Sequence, residues 1–154
     1  MSEKGAFALT NVDQIGIVVE DLEKSMEEYR DSMGVGPFDV LDITSENATI
    51  EGAVSPFHLK IALARNTPVQ VELIQVLKGE TAHSRFLHEK GQGLHHLGML
   101  IDGGIEEKIA QLGERGINVL QKGEIFGRSH FAYMDTEKTS GVIWELIDRY
   151  GVRK

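Results

Sequence analysis

The sequence passes through one order of elements twice, and this repetition constrains the fold more than any other feature. Residues 14–20 (QIGIVVE) are rich in β-branched side chains and predict a strand. Asp21 can cap a helix, Leu22, Met26, Tyr29 and Met33 recur at helical spacing, and Gly34 stops the run. Pro37 opens an extended stretch over 38–44, the small polar residues of 45–56 predict a loop, and 57–64 and 69–77 predict two more strands. The first half thus reads β-α-β-β-β. The pattern restarts at 94–101 (LHHLGMLI) with a strand. Ile105, Ile109 and Leu112 mark a helix closed near Gly113 or Gly116, and 117–121, 129–135 and 141–148 are three further strands. Asp13-Gln14-Ile15-Gly16 lines up with His95-His96-Leu97-Gly98, and Glu72-Leu73-Ile74 recurs as Glu145-Leu146-Ile147. Between the halves, Thr81 can cap a short helix that carries Phe86 and Leu87 and ends at Gly91. Alternation over 57–77, in place of long apolar runs, favours sheets with two different faces.

These boundaries predict an N-terminal tail (1–11) and a single domain (12–150), made of module one (12–78), a link helix (79–92) and module two (93–150). A length of 154 residues suits one domain with a proper core. Composition narrows the function. There is no cysteine, so disulfides, thiolate metal sites and a cysteine nucleophile are excluded. The net charge of −8 argues against nucleic acid as a partner. No apolar run approaches the roughly 18 residues of a membrane span, and the N-terminus does not read as a signal peptide. A cytoplasmic protein without a membrane partner is expected.

Polar residues on the strands then single out a site. In a strand, residues two apart share a face, so Gln14 lies with Gly16 and Val18. Glu72 stands between Val71 and Leu73, Glu145 between Trp144 and Leu146, and His96 between His95 and Leu97. An ionised carboxylate among such neighbours is costly unless it is paired or binds a cation. The two glutamates occupy repeat-equivalent positions, as do Gln14 and His96. Pseudo-twofold symmetry would bring all four groups to one point, and three oxygens with one nitrogen suit a borderline or hard divalent metal with positions left open. His95 has the opposite parity to His96 and is expected to be structural. Phe131 and Tyr133 alternate on one strand face, as core residues or as pocket lining.

The two halves, the ligand quartet and the segment from Phe86-Leu87 through Gly93-Leu94-His95-His96-Leu97-Gly98 resemble the vicinal oxygen chelate (glyoxalase-like) superfamily over about residues 12–149. The resemblance implies an α+β fold in which two tandem βαβββ modules form a curved sheet around one metal site. The link helix and the Gly-Leu-His-His strand look most like methylmalonyl-CoA epimerases, whereas Gln14, Glu72, His96 and Glu145 as ligands resemble those of some glyoxalase I enzymes. The epimerase pattern has a histidine where this chain has Gln14, and a carboxylate as second base where Lys60 stands.

What the resemblance implies is metal-assisted proton transfer at a carbon next to a carbonyl. Gln14, Glu72, His96 and Glu145 would hold one divalent ion (Zn, Ni, Co or Mn). Glu145 would be the leading base, with Lys60 as a second acid or an anion contact. His58, Lys60 and Tyr133 would contact a small-molecule substrate, an acyl-CoA or a glutathione adduct. The rival class is a non-catalytic ligand-binding, resistance-type protein. A homodimer is implied.

Overall fold

Helix caps and strand alternation explain where most elements begin and end. The computed structural model describes residues 7–149 of the chain. Strand β1 (Gln14–Val18) leads into helix α1 (Leu22–Met33), followed by strands β2 (Phe38–Ser45), β3 (Thr49–Ile50), β4 (Ala53–Val54), β5 (Phe57–Ala64) and β6 (Gln70–Lys78). Helix α2 (Ala82–Lys90) links to β7 (Gly93–Ile101), helix α3 (Ile105–Glu114), β8 (Val119–Ile125), β9 (Ser129–Met134), helix α4 (Glu137–Ser140) and β10 (Ile143–Asp148). Asp21 caps α1 by accepting a hydrogen bond from the Lys24 amide, and Gly34 ends it in the left-handed conformation. Thr81 and Ser84 close a reciprocal capping box on α2. Residues 1–6 and 150–154 lie outside the described residues, and with them part of the expected tail and the end of module two. Within that tail, Phe7 and Leu9 pack against the α3 side of the sheet.

The strands form one curled sheet in the order β2-β5-β6-β1-β7-β10-β9-β8-β3-β4. In each half the first strand runs parallel to the last: β1 with β6, and β7 with β10. The halves meet through the antiparallel pair β1–β7, so the two repeat-equivalent pairs lie side by side as β6-β1-β7-β10. Helix α1 covers the outer face of one half over Ala62 and Leu73, and Ile105 and Leu112 of α3 cover the other over Ala132, Met134 and Leu146. The concave face buries Ile43, Leu59, Ile61 and Ile74 of module one against Phe131 and Tyr133 of module two. Each such side chain contributes on the order of 1.5–3 kcal/mol by leaving water. This is the α+β architecture that the resemblance implies, with two βαβββ modules in one curved sheet.

Three elements depart from expectation. The predicted loop 45–56 contains the β3–β4 hairpin, which crosses to pair with β8 of the other half. Its two-residue turn places Glu51 and Gly52 at φ 48° and 85°, the arrangement that matches strand twist in tight hairpins. Two-residue strands are too short to display alternation, so the sequence hides them. Strand β8 runs on past 121 to Ile125 because Gly123 is not a breaker here. A Cβ at Gly123 would lie 2.9 Å from the Ala48 Cβ and 3.0 Å from the Phe131 ring, so the missing side chain makes room for both. The last strand begins at Ile143, since α4 and its Gly141 cap occupy the preceding residues.

Candidate metal centre

The strand register carries the four candidate ligands onto two adjacent rows across the middle of the sheet. One row runs Gln70–Gln14–Gly98–Glu145, the next Glu72–Gly16–His96. Each ligand of the β1–β7 pair thus faces a glycine: Gln14 opposite Gly98, and His96 opposite Gly16. The reason is steric. A Cβ on Gly16 would come within 2.0 Å of the His96 ring, and one on Gly98 within 3.1 Å of the Gln14 Cβ and 2.8 Å of Ile147. Only hydrogen at both positions lets the two side chains lie across the strands and converge.

They do converge. His96 Nε2 lies 3.1 Å from Glu145 Oε1, 3.2 Å from Gln14 Oε1 and 3.5 Å from Glu72 Oε1. His96 is wholly buried, and Gln14, Glu72 and Glu145 are at most 9% exposed. One ring N–H cannot serve three oxygens, and Glu145 Oε1 is left without a hydrogen-bond partner. Burial opposes a charge on His96, but Glu145 and then Glu72 beside the ring outweigh it and hold its pKa up at about 9. Burial pushes the Glu145 carboxyl up, opposed by His96. A proton on His96 therefore fills part of the role of a cation among these oxygens. A divalent ion would meet three oxygens and one nitrogen of types it accepts, and the donor set fits Zn, Ni, Co or Mn.

The far side of His96 meets a cluster of rings. His95 Nδ1 lies 3.0 Å from His96 Nδ1, His83 Nε2 lies 2.7 Å from the Tyr133 hydroxyl, and that hydroxyl stands against the Glu145 carboxylate. His95 reaches this place despite its parity. β7 carries a bulge in which Gly16 faces His96 and Ile17 faces Leu94, so His95 is the extra residue and turns inward. Burial holds His83 and His95 below the ordinary histidine range, His83 at about 3, so both are neutral. His83, His95 and His96 also present nitrogens within 4.8 Å of one another, a second grouping able to hold a metal. Among the described residues this grouping consists of three histidines and includes no carboxylate to balance a dication. On the quartet side, His96 coordinating through Nε2 would keep its proton on Nδ1 and donate it to His95, which fixes the ring.

The quartet opens on its other side into a cavity of about 370 Å³. Leu41, Ile43, Ile61 and Leu63 form one wall, and Arg128, Arg149 and Phe126 stand at the mouth. Glu72 and Glu145 are the only carboxylates among its described lining residues. Lys60 and His58 are not there, which corrects their expected roles. On β5 the odd-numbered Ile61 and Leu63 face the cavity, so Lys60 and His58 point to the outer face, where Lys60 lies 3.9 Å from Glu23 of α1 and His58 pairs with Asp42 at 2.8 Å. Tyr133, expected as a substrate contact, is 4% exposed and sits among the rings beneath the quartet. Sequence reasoning missed His83, Gln70, Arg128 and Arg149. Arg149 shares the parity of Glu145 and was open to the same face argument. Arg128, on a hairpin tip, carried no periodic signal.

The sequence relative "Uncharacterized protein YqjC" of Bacillus subtilis (strain 168) is 25% identical over 145 residues, covering 93% of this chain and 95% of that one. Among solved structures, methylmalonyl-CoA epimerase from Mycobacterium tuberculosis superposes with a TM-score of 0.63 at 18% identity, covering 92% of each chain. A methylmalonyl-CoA epimerase in complex with methylmalonyl-CoA and NH4+ gives 0.63 at 20% identity, over 96% of this chain and 99% of that one. Hypothetical protein BH1468 from Bacillus halodurans C-125 gives 0.62 at 20%, over 90% and 94%. At such identities these structures share the fold alone. The sequence itself matches one family over residues 13–133, so the chain belongs to the Glyoxalase/Bleomycin resistance protein/Dioxygenase superfamily.

Proposed function

We propose that this protein is a metal-dependent isomerase or epimerase that moves a proton at a carbon next to a carbonyl. The observation that carries the reading is the convergence of His96 Nε2 on oxygens of Gln14, Glu72 and Glu145 at the floor of a cavity with one aliphatic wall. A divalent ion held by these four residues would act as a Lewis acid on the substrate carbonyl. The chain's own residues do the rest. Glu145 takes the proton from carbon at a carboxylate oxygen, where burial has already raised its affinity for protons. Tyr133 and His83 hold that carboxylate in place from behind. Glu72, on the other side of His96, is the second carboxylate within the site. The wall of Leu41, Ile43, Ile61 and Leu63 keeps water from the reacting carbon.

Two substrate classes fit this chemistry. Likeness in fold to methylmalonyl-CoA epimerases supports an acyl-CoA. A glutathione thiohemiacetal, as in glyoxalase I, is supported by Lys60: the expected second acid is turned away toward Glu23, and the wall that β2 and β5 supply is aliphatic. A non-catalytic binding protein would have no use for two buried carboxylates around one imidazole. A cytoplasmic homodimer belongs to the same reading. Strand β2 ends the sheet with Val40 43% exposed, an edge a second copy could cover. Among the described residues no helix is long and apolar enough to cross a membrane.

The test is solvent exchange. Metal-loaded protein in deuterated buffer should wash label into the α-carbon of methylmalonyl-CoA, or convert methylglyoxal plus glutathione, and Glu145→Gln should abolish whichever is seen. Metal-loaded protein that exchanges or converts neither would remove both substrate assignments.

A further inference from the structure

Resting on the proton-transfer reading, we propose that the substrate bears a carboxylate and an aliphatic body, and that Arg149 holds the carboxylate beside the quartet. Arg149 follows Glu145 and Ile147 at intervals of two along the β10 line, so all three face the cavity. Its guanidinium donates to Gln70 Oε1 at 3.1 Å, and the same oxygen accepts from Gln14 Nε2 at 2.8 Å. The arginine is thereby tethered to the side chain of the first candidate ligand through one shared acceptor. Of its five N–H groups, that bond uses one, and a planar carboxylate accepts two in parallel.

Charge points the same way. Arg30, Arg65 and Arg85 each pair with a carboxylate on the surface. Arg128 and Arg149 have none within 4.0 Å among the described residues, although the chain as a whole carries −8. The Arg149 charge acts on the Glu145 carboxyl, but a divalent ion would be balanced by Glu72 and Glu145 and would leave the two arginines without a counter-charge. An anion entering there is drawn inward and meets Arg149 before the ligands. The wall of Leu41, Ile43, Ile61 and Leu63 offers no hydrogen bond and suits an aliphatic group, while Ser129 and His130, the latter beside Glu124, line the β9 side. Phe126, 62% exposed at the hairpin tip beside Arg128, is held at φ 57°, a conformation uncommon for a bulky residue. Its ring stands over the same mouth and would cover the apolar part of a bound acid.

Ketoisocaproate, a branched keto acid, and its neutral methyl ester serve as probes, titrated into wild type, Arg149→Gln and Arg149→Lys, each both metal-free and zinc-loaded. The acid should bind wild type and the ester should not. Arg149→Gln should weaken the acid by at least about tenfold, and Arg149→Lys by less, because a point charge replaces the fork. Ion content of the reconstituted variants should match wild type, which separates anion recognition from damage to the quartet. An acid that fails to bind wild type at millimolar concentration, an ester that binds as well as the acid, or an Arg149→Gln variant with undiminished acid binding would each overturn the proposal. Because the titration reads binding and not turnover, and one arm is metal-free, it stands or falls apart from the metal and exchange measurements that decide the proton-transfer reading.

Discussion

Two hydrogens, those standing where Cβ atoms would be on Gly16 and Gly98, decide whether the candidate ligands can meet. Gly16→Ala should displace the His96 ring, since backbone on one side and a fully buried imidazole on the other leave no slack. We expect metal content to fall below one tenth of wild type and stability to drop by about 1–3 kcal/mol, the usual cost of overpacking. Elemental analysis and thermal melts check both. His83 gives a prediction about acid. Its pKa is held at about 3 in the folded chain, mainly by burial, against about 6.5 when unfolded. As pH falls through 6.5 the unfolded chain gains a proton that the folded chain refuses until about 3. Stability should therefore decline across that window by up to about 1.4 kcal/mol per unit, with no such term above it. Denaturant titrations of metal-free protein at stepped pH should show a shallower decline in His83→Gln. The quartet itself was legible because each ligand is polar on an apolar strand and recurs in the repeat. The Gln-x-Gly and His-x-Gly spacings carry the same message in the sequence. His95, expected to be structural, is a buried ring against His96, but a bulge that breaks the two-residue period turns it inward, and Lys60 was misjudged because family position was weighed above the face that alternation assigns it.

At the scale of elements, capped helices and alternating strands could be read directly, whereas pieces that depend on distant partners could not. Helix α1 announces itself by Asp21, Leu22, Met26 and Gly34. The β3–β4 hairpin exists only because β8 pairs with it from the other half. Its turn rests on Gly52 at φ 85°, so Gly52→Val should strain it by about 1–2 kcal/mol. For a chain of this size that is a fall in Tm of roughly 2–8 °C. Faster amide exchange at Thr49–Ile50 and unchanged metal content would show that the hairpin braces the sheet without taking part in the site. Loss of the ion in this variant would mean that the hairpin and the quartet are mechanically one unit.

For the whole molecule, duplication explains why a site can exist at all. Neither module alone has four donors. Placing the first and last strands of each half side by side makes β6, β1, β7 and β10 contiguous and brings two pairs of ligands to one point. A ligand that binds only the folded chain stabilises it, so free metal at about a hundred times its Kd should add roughly 2.7 kcal/mol. A chelator should return the melt to its starting value. The most direct test is ion stoichiometry. Chelator-stripped wild type, reconstituted with Zn, Ni, Co or Mn and dialysed, should carry one ion per chain. Glu145→Gln should lose it with its circular dichroism unchanged, and His83→Gln should keep it. A wild-type chain that takes up no ion would contradict the account, as would an ion that survives Glu145→Gln but is lost with His83→Gln and therefore belongs to the three histidines.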